Sequence, residues 1–317
     1  MATEVSVIMP VYNAEGFLGE TVASILNQSH QDFELIAIDD GSTDGSADIL
    51  ADFARRDKRV NFFRSENRGA GATATECLAR AKNDLVVRHD ADDVMLPNRL
   101  ERQVWFMQQN QDISAACGYA WLINRSGKIL AWAKPIVDIE RGIRESDPHW
   151  FVDLIQPATI MRKQDVLAVG GYPKHRYAED RELWGRLVAA GYRLAVQPEF
   201  VIKQRIHGSS LTGSPERRYL LHCAWIDQNV VRMLHGEECI SFEAYLENRR
   251  AISLPQQLLR DSRELGLVCY KEATREFADR KWWRFAKHCT SAILLNPMLG
   301  FRMLQKVSFK RFLLGEE

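Results

Sequence analysis

Across roughly the first 100 residues, short apolar runs alternate with stretches whose apolar positions recur at helical spacing. Val5-Ser6-Val7-Ile8-Met9 has the pattern of a buried strand and is closed by Pro10. Phe17, Leu18, Thr21, Val22, Ile25 and Leu26 then fall on one helical face. Phe33 to Ile38 repeats the strand pattern and runs into a turn cluster, Asp39-Asp40-Gly41-Ser42, ahead of a helix reaching about Ala54. Val60-Asn61-Phe62-Phe63 and Leu85-Val86-Val87 are further strands, with a helix from Ala72 to Ala81 between them. Strands alternating with helices predict a mainly parallel sheet covered on both faces. In such sheets ligands bind at the carboxyl ends of the strands.

From Ile113 to His207 the pattern is mixed. Tyr119 to Ile123 and Lys128 to Trp132 flank Arg125-Ser126-Gly127 as a hairpin, and Ala158 to Met161 is another strand. Gly170-Gly171 marks a turn, and Arg181 to Ala190 a helix stopped by Gly191. Beyond Ser214 the pattern is helical, with Pro255 and Pro297 as breaks. The expected organisation is a domain over residues 1–214, divided into halves 1–112 and 113–214, and a helical C-terminal region over 215–317.

Composition narrows the class without deciding it. Lys plus Arg equals Asp plus Glu at 42 each, so net charge gives no reason to expect nucleic acid. Six scattered cysteines without a C-x-x-C pair argue against a zinc site or disulfide framework and suit a reducing compartment. No basic-then-apolar leader opens the chain, and no apolar run approaches the ~20 residues of a membrane span. The expectation is a cytoplasmic protein that can still touch a membrane surface.

The polar clusters lie where the strands end. Asp90-Ala91-Asp92-Asp93 follows Leu85 to Val87, and Asp-x-Asp in an extended segment sends two carboxylates to one side. Mg²⁺ and Mn²⁺ prefer such oxygen ligands, completed by substrate phosphates; a solvated acidic turn is the alternative. In Asp39 to Ser46, Asp and Ser can cap the following helix, or a carboxylate can accept from a nucleobase imide or ribose hydroxyl. Glu179-Asp180 opens a helix, which suits the helix dipole and equally suits a carboxylate general base. Gly69-Ala70-Gly71-Ala72-Thr73-Ala74 matches a dinucleotide-binding pattern. Ser65 to Arg68 separate it from its strand, however, and the first strand ends in Pro-Val-Tyr-Asn instead.

Taken together, Val5 to Asn13, Ile38 to Asp44, Glu66-Asn67-Arg68-Gly69, Asp90 to Asp93, Gly170-Gly171-Tyr172 and Glu179-Asp180-x-x-Leu183-Trp184-x-Arg186-Leu187 resemble the family-2 glycosyltransferases in order and spacing. These are inverting enzymes with a GT-A fold. The resemblance implies an α/β fold with a Rossmann-like sheet flanked by helices. It implies that Pro10, Tyr12 and Asn13 line a base pocket, that Asp40 binds the nucleobase and that Arg68 lies near it. Asp90 would meet the ribose or the metal, and Asp92 the metal. Asp180 would be the base with Glu179 beside it, and His207 would touch the metal or diphosphate. The implied cofactor is Mn²⁺ or Mg²⁺. The implied partners are a nucleotide-sugar, by preference a UDP-sugar carrying a hexosyl or N-acetylhexosaminyl group, and a glycan or lipid-linked acceptor. Where family members carry Arg-Asn this chain has Ala74-Thr75, and His89 replaces a usual aliphatic residue. The Q-x-x-R-W motif of processive synthases is absent, which implies one sugar per acceptor. The alternatives are a catalytically weak nucleotide-sugar- or glycan-binding relative and a sugar nucleotidyltransferase. Aromatic, aliphatic and basic residues mix in Lys281 to Phe285 and Met303 to Leu314, so residues 297–317 are expected to dock on the inner membrane leaflet or to pack as a structural or oligomer-forming element.

Overall fold

The computed structural model describes residues 4–138, 152–173, 177–207, 217–278 and 281–297. The alternating half consists of β1 (Val5–Val11), α1 (Glu15–Leu26), β2 (Phe33–Asp40), α2 (Ser46–Arg56), β3 (Val60–Ser65), α3 (Ala70–Arg80) and β4 (Leu85–Arg88). Next come β5 (Val94–Met95), α4 (Arg99–Gln109), β6 (Ile113–Ile123), β7 (Ile129–Ala133), β8 (Ile136–Val137) and β9 (Val152–Asp153). They are followed by β10 (Thr159–Arg162), α5 (Lys163–Ala168), α6 (Glu179–Ala189) and β11 (Arg193–Arg205). The last described helices are α7 (Arg217–Leu234), α8 (Phe242–Ala251), α9 (Leu254–Ala278) and α10 (Trp282–Leu295).

The main sheet runs β3-β2-β1-β4-β10-β6-β11-β5, with β7 paired to β6. β3, β2, β1 and β4 are parallel, and β10 is antiparallel to both β4 and β6. Every residue of β2 is buried, as a strand covered on both faces requires. Leu18, Val22 and Ile25 of α1 and Leu50 of α2 pack into that core. Their burial is the tertiary consequence of the helical spacing in the sequence.

Several boundaries differ from the sequence expectation, the largest at β6, which begins at Ile113 rather than Tyr119. Pro10 does not close β1 but sits inside it, opposite Ile38. Ile8 accepts from His89 N, so Pro10, two residues on, turns the same way, beyond the last β1–β4 pair at Ile8↔Arg88. The missing N–H therefore removes no ladder bond. Asp39 and Asp40 belong to β2 rather than to the turn, which begins at Gly41 with φ +74°. The short strand expected from Ala158 begins one residue later, because Gln156–Ala158 form a 3₁₀ turn. Pro255 is the second residue of α9 rather than a break, a position where its absent N–H would lack a partner anyway.

The described chain divides into two compact units. One contains Met1–Trp121, Ala133–Gln204 and Ile226–Glu238; the other contains Leu122–Trp132, Arg205–Trp225 and Cys239–Glu317. Within the second unit, α9 and α10 pack through Ala273 and Cys289, joined by Tyr270 and Phe285. Ser262 Oγ donates to Leu295 O at 2.8 Å. Among the described residues no helix is long and apolar enough to cross a membrane. The segment expected to dock on a membrane lies outside the described residues from 298 onward.

Candidate active site

Parallel register sets Val11 opposite Asp39, Asp39 opposite Arg64 and Asp40 opposite Ser65, so the residues after β1, β2 and β3 share one sheet edge. The turn cluster ties this edge together. Asn13 N donates to Ser42 Oγ and Asn13 Oδ1 accepts from Thr43 N, both at 2.9 Å. Ala14 N donates to Ser46 Oγ at 2.9 Å and Glu15 N to Asp44 Oδ2 at 3.0 Å. The cluster therefore caps α1, which precedes it, and also serves α2: the N-cap residue Gly45 offers no side chain, but Asp44 Oδ1 accepts from Ser46 N at 3.0 Å. Tyr12 projects from this edge with 52% of its surface exposed.

The two carboxylates ending β2 are treated differently. Asp40 accepts from the backbone N–H groups of Arg68 and Gly69, one on each oxygen, both at 2.9 Å. It thus anchors the loop into α3, while the Arg68 side chain turns to Glu76. Asp39 is fully buried and Oδ1 accepts from Ser42 N at 3.3 Å. Its Oδ2 receives no hydrogen bond; the exposed Arg64 stands with Nε 3.2 Å away but out of alignment. A buried carboxylate oxygen without an aligned donor is costly, and a ligand N–H would relieve it.

After β4, Arg88 Nη2 holds Asp90 Oδ1 at 2.8 Å. Arg88 is itself buried and also donates to His89 O. Burial pushes the Asp90 carboxyl above its ordinary range; Arg88 pulls it back, and the charges of Asp92 and Asp180 push it further up. His89 is a packed histidine: burial and then the Arg99 charge hold it well below the usual range, so it is neutral. Arg99 Nη1 lies 3.1 Å from its Nδ1, donates from Nη2 to Arg88 O and Thr159 O, and donates from Nε to Gln103 Oε1. Burial draws the Arg99 guanidinium down to about 9, which leaves it charged at neutral pH. This network fixes the backbone just before the Asp-x-Asp turn.

Glu179 and Asp180 open α6, preceded by Ala178 at φ 55°, a left-handed position uncommon for alanine. Burial, and then the Asp180 charge, push Glu179 up to about 7. Arg88 acts electrostatically on both Asp90 and Glu179 and is the buried countercharge of the crevice. Gly71 explains the dinucleotide-like glycines in another way. A Cβ there would collide with Pro173 O and touch Glu179, so the glycine admits the start of α6. Thr75 Oγ1, where the family usually has Asn, donates to Tyr172 O at 3.1 Å and ties α3 to the same segment. From the other side, Arg181 Nη1 grips Asp227 of α7 at 2.7 and 2.8 Å.

Asp90 and Asp92 offer only oxygen donors, and their mutual repulsion is what an intervening cation would relieve. Among the described residues no group of three His, Cys, Asp or Glu is arranged to hold a metal. Two carboxylates with only oxygen donors fit an ion that takes most ligands from phosphate and water, as Mg²⁺ and Mn²⁺ do. His207, two residues past the end of β11, is buried and belongs to the second unit.

The profile of glycosyl transferase family 2 matches residues 6–169. The chain belongs to this family. An uncharacterized glycosyltransferase of Methanocaldococcus jannaschii is 30% identical over 207 residues, covering 64% of this chain and 70% of that protein. Two Haemophilus influenzae relatives match over 47% and 66% of their own lengths. The fold is similar to S. aureus TarS 1-349 in complex with UDP-GlcNAc, at TM-score 0.57 and 15% identity, covering 99% of this chain and 92% of that one. It is also similar to the Pyrobaculum calidifontis mannosyltransferase with GDP-Man and Mn²⁺, at TM-score 0.53 and 18% identity, covering 92% and 86%. This protein is thus a glycosyltransferase of GT-A-like fold.

In this family-2 glycosyltransferase, sequence reasoning passed over Arg88, Asp227 and the separate role of Asp39. Arg88 had a visible sign, a cation inside an apolar strand next to three acids. Asp227 had none, since its partner lies 46 residues away.

Proposed function

We propose that this enzyme moves a single hexosyl or N-acetylhexosaminyl group from a UDP-sugar to a hydroxyl of a glycan or lipid-linked glycan, with inversion and with Mn²⁺ or Mg²⁺. The observation that carries this reading is that Asp90, paired with buried Arg88 at 2.8 Å, also feels the charge of Asp180 from a distant part of the chain, while Arg88 acts on Glu179 beside Asp180. In this reading residues 1–214 form the catalytic domain, with nucleotide binding in 1–112, acceptor binding in 113–214 and 215–317 as a helical region, and the enzyme works in the cytoplasm at the inner face of the membrane.

The base and ribose lie at the β1–β2 edge. Tyr12 offers an exposed ring for stacking beside Pro10 and Asn13, Asp40 binds the nucleobase, and Asp39 Oδ2 beside it is an open acceptor for a base N–H. Asp40 shapes the same pocket by fixing the Arg68 loop. Asp90 and Asp92 hold the metal and the diphosphate. Bound there, the ion stabilises charge on the leaving diphosphate. Asp180 takes the proton from the acceptor hydroxyl as its oxygen attacks the anomeric carbon opposite the leaving group, so one displacement inverts configuration. Glu179, pushed up to about 7 by burial, keeps a proton near neutrality and limits repulsion of the base.

The test combines Asp92→Asn with metal removal. Asp92→Asn should abolish transfer and remove the Mn²⁺-dependent part of UDP binding, read by titration calorimetry. Full transfer by the unaltered protein in EDTA, or a product with retained anomeric configuration by NMR, overturns the reading.

A further inference from the structure

The second unit carries an exposed apolar face on α10. On α10, Trp283, Lys287, Thr290 and Leu294 follow i, i+4, i+7 and i+11 and form one stripe. Trp283 is 83% exposed and Leu294 76%. Trp282, Ala286 and Ile293 extend the exposed face beside it. The opposite face is occupied, because Cys289, Ala292 and Phe285 turn inward and pack on α9. Globular proteins rarely leave two tryptophans and two large aliphatic side chains on one helix face without a use.

Charge selects the occupant. α10 holds no Asp or Glu, and from Lys281 to Gly315 every Asp, Glu, Lys or Arg position is a cation. Lys281 and Arg284 stand near Glu276 of α9, at 3.7 and 3.8 Å, yet their side chains stay about half or more exposed. Lys287 lies in the middle of the apolar stripe. A two-fold dimer through this face would bring the cations of both copies together. An anionic bilayer takes both features at once: indole rings settle at the headgroup level, and lysine stems lie along apolar surface with their charges at the lipid phosphates.

We propose that the Trp282–Leu295 helix is a peripheral docking face for anionic lipid bilayers. The proposal stands independently of which sugar the enzyme transfers, and its test uses neither donor nor acceptor. Full-length protein is co-sedimented with vesicles of phosphatidylcholine alone and of phosphatidylcholine mixed with phosphatidylglycerol, at low and high salt. Tryptophan quenching by brominated acyl chains reads insertion. The expected result is binding to the anionic vesicles only, weakened by salt. Trp283→Gln and Lys287→Glu should each lower that partitioning at least ~5-fold while leaving the thermal unfolding midpoint unchanged. Both residues are exposed and Lys287 sits on the outward stripe, so neither change disturbs the α9–α10 core. Absent binding, equal binding to both vesicle types, or variants that bind like the unaltered protein overturns the proposal. So does a concentration-dependent dimer by light scattering that Trp283→Gln dissociates in the absence of vesicle binding, since that assigns the face to a second copy.

Discussion

Two pairs of adjacent acids stand at the crevice, and the protein treats them in opposite ways. Asp40, at the end of β2, has both oxygens filled by backbone N–H groups, and Asp39 beside it accepts from Ser42 N and stands 3.2 Å from Arg64 Nε. Glu179, at the start of α6, is as buried, yet it sits beside the charge of Asp180 and is pushed up to about 7. In the first pair Asp40 is consumed in holding a loop, and only Asp39 Oδ2 is left open. The second is left electrostatically strained, with Arg88 as its shared countercharge. Perturbed acids in a cleft are functional candidates, whereas satisfied ones are mostly architecture with a binding surface. The contrast teaches that neighbouring acids in a motif need not share a role.

The sharpest way to break the contrast is Asp180→Asn. It should lower kcat by at least ~10² while UDP binding by calorimetry and the unfolding midpoint stay near the parent values. Collapse of donor affinity at unchanged kcat would move Asp180 to the binding side. Asp40→Ala should do the reverse. Losing two charge-assisted hydrogen bonds to backbone donors costs about 2–4 kcal/mol in urea unfolding without ligand. A fully stable Asp40→Ala protein would dissolve the distinction.

Gly71→Ala tests whether the base is positioned by the glycine's lack of a side chain. The new methyl must displace Pro173 O, against which the start of α6 is packed, an overpacking change of about 1–3 kcal/mol. Turnover should fall more than UDP affinity, and steady-state kinetics beside calorimetry separate the two.

Glu179→Gln gives the smallest effect and the finest test. The native carboxyl is raised from 4.5 to about 7, so between those values the native state holds more protons than the unfolded chain. Stability of the unaltered protein therefore falls as pH rises from about 4.5 through about 7 and levels off above. Glutamine cannot ionise, so the variant should gain on the parent across that window, by at most about 3 kcal/mol above it and by little below. Urea unfolding at the two ends of the window measures the gap; a gap independent of pH shows that Glu179 is not raised.

Much of this was legible in the chain. The apolar runs placed β1, β2 and β4, and the helical spacing of Leu18, Val22 and Ile25 placed α1, because side-chain periodicity is a local consequence of backbone geometry. The acids after β2 and β4 could likewise be put at the carboxyl edge, since a parallel sheet sends all its strand ends one way. Element ends were less legible. Asp39 and Asp40 look like a turn by composition, but β3 pairs with β2 through both of them and extends the strand.

Sequence alone determined the family, the alternation of strands and helices, and which edge carries the acids, all of which follow from short-range pattern and residue chemistry. The tertiary structure alone decided which carboxylate is satisfied and which is strained. The donors to Asp40 come from Arg68 and Gly69, the burial of Glu179 comes from α3 and the segment around Pro173, and the countercharge comes from β4. Hydrogen-bond partners and desolvation are properties of neighbours in space, and folding chooses those neighbours from distant parts of the chain.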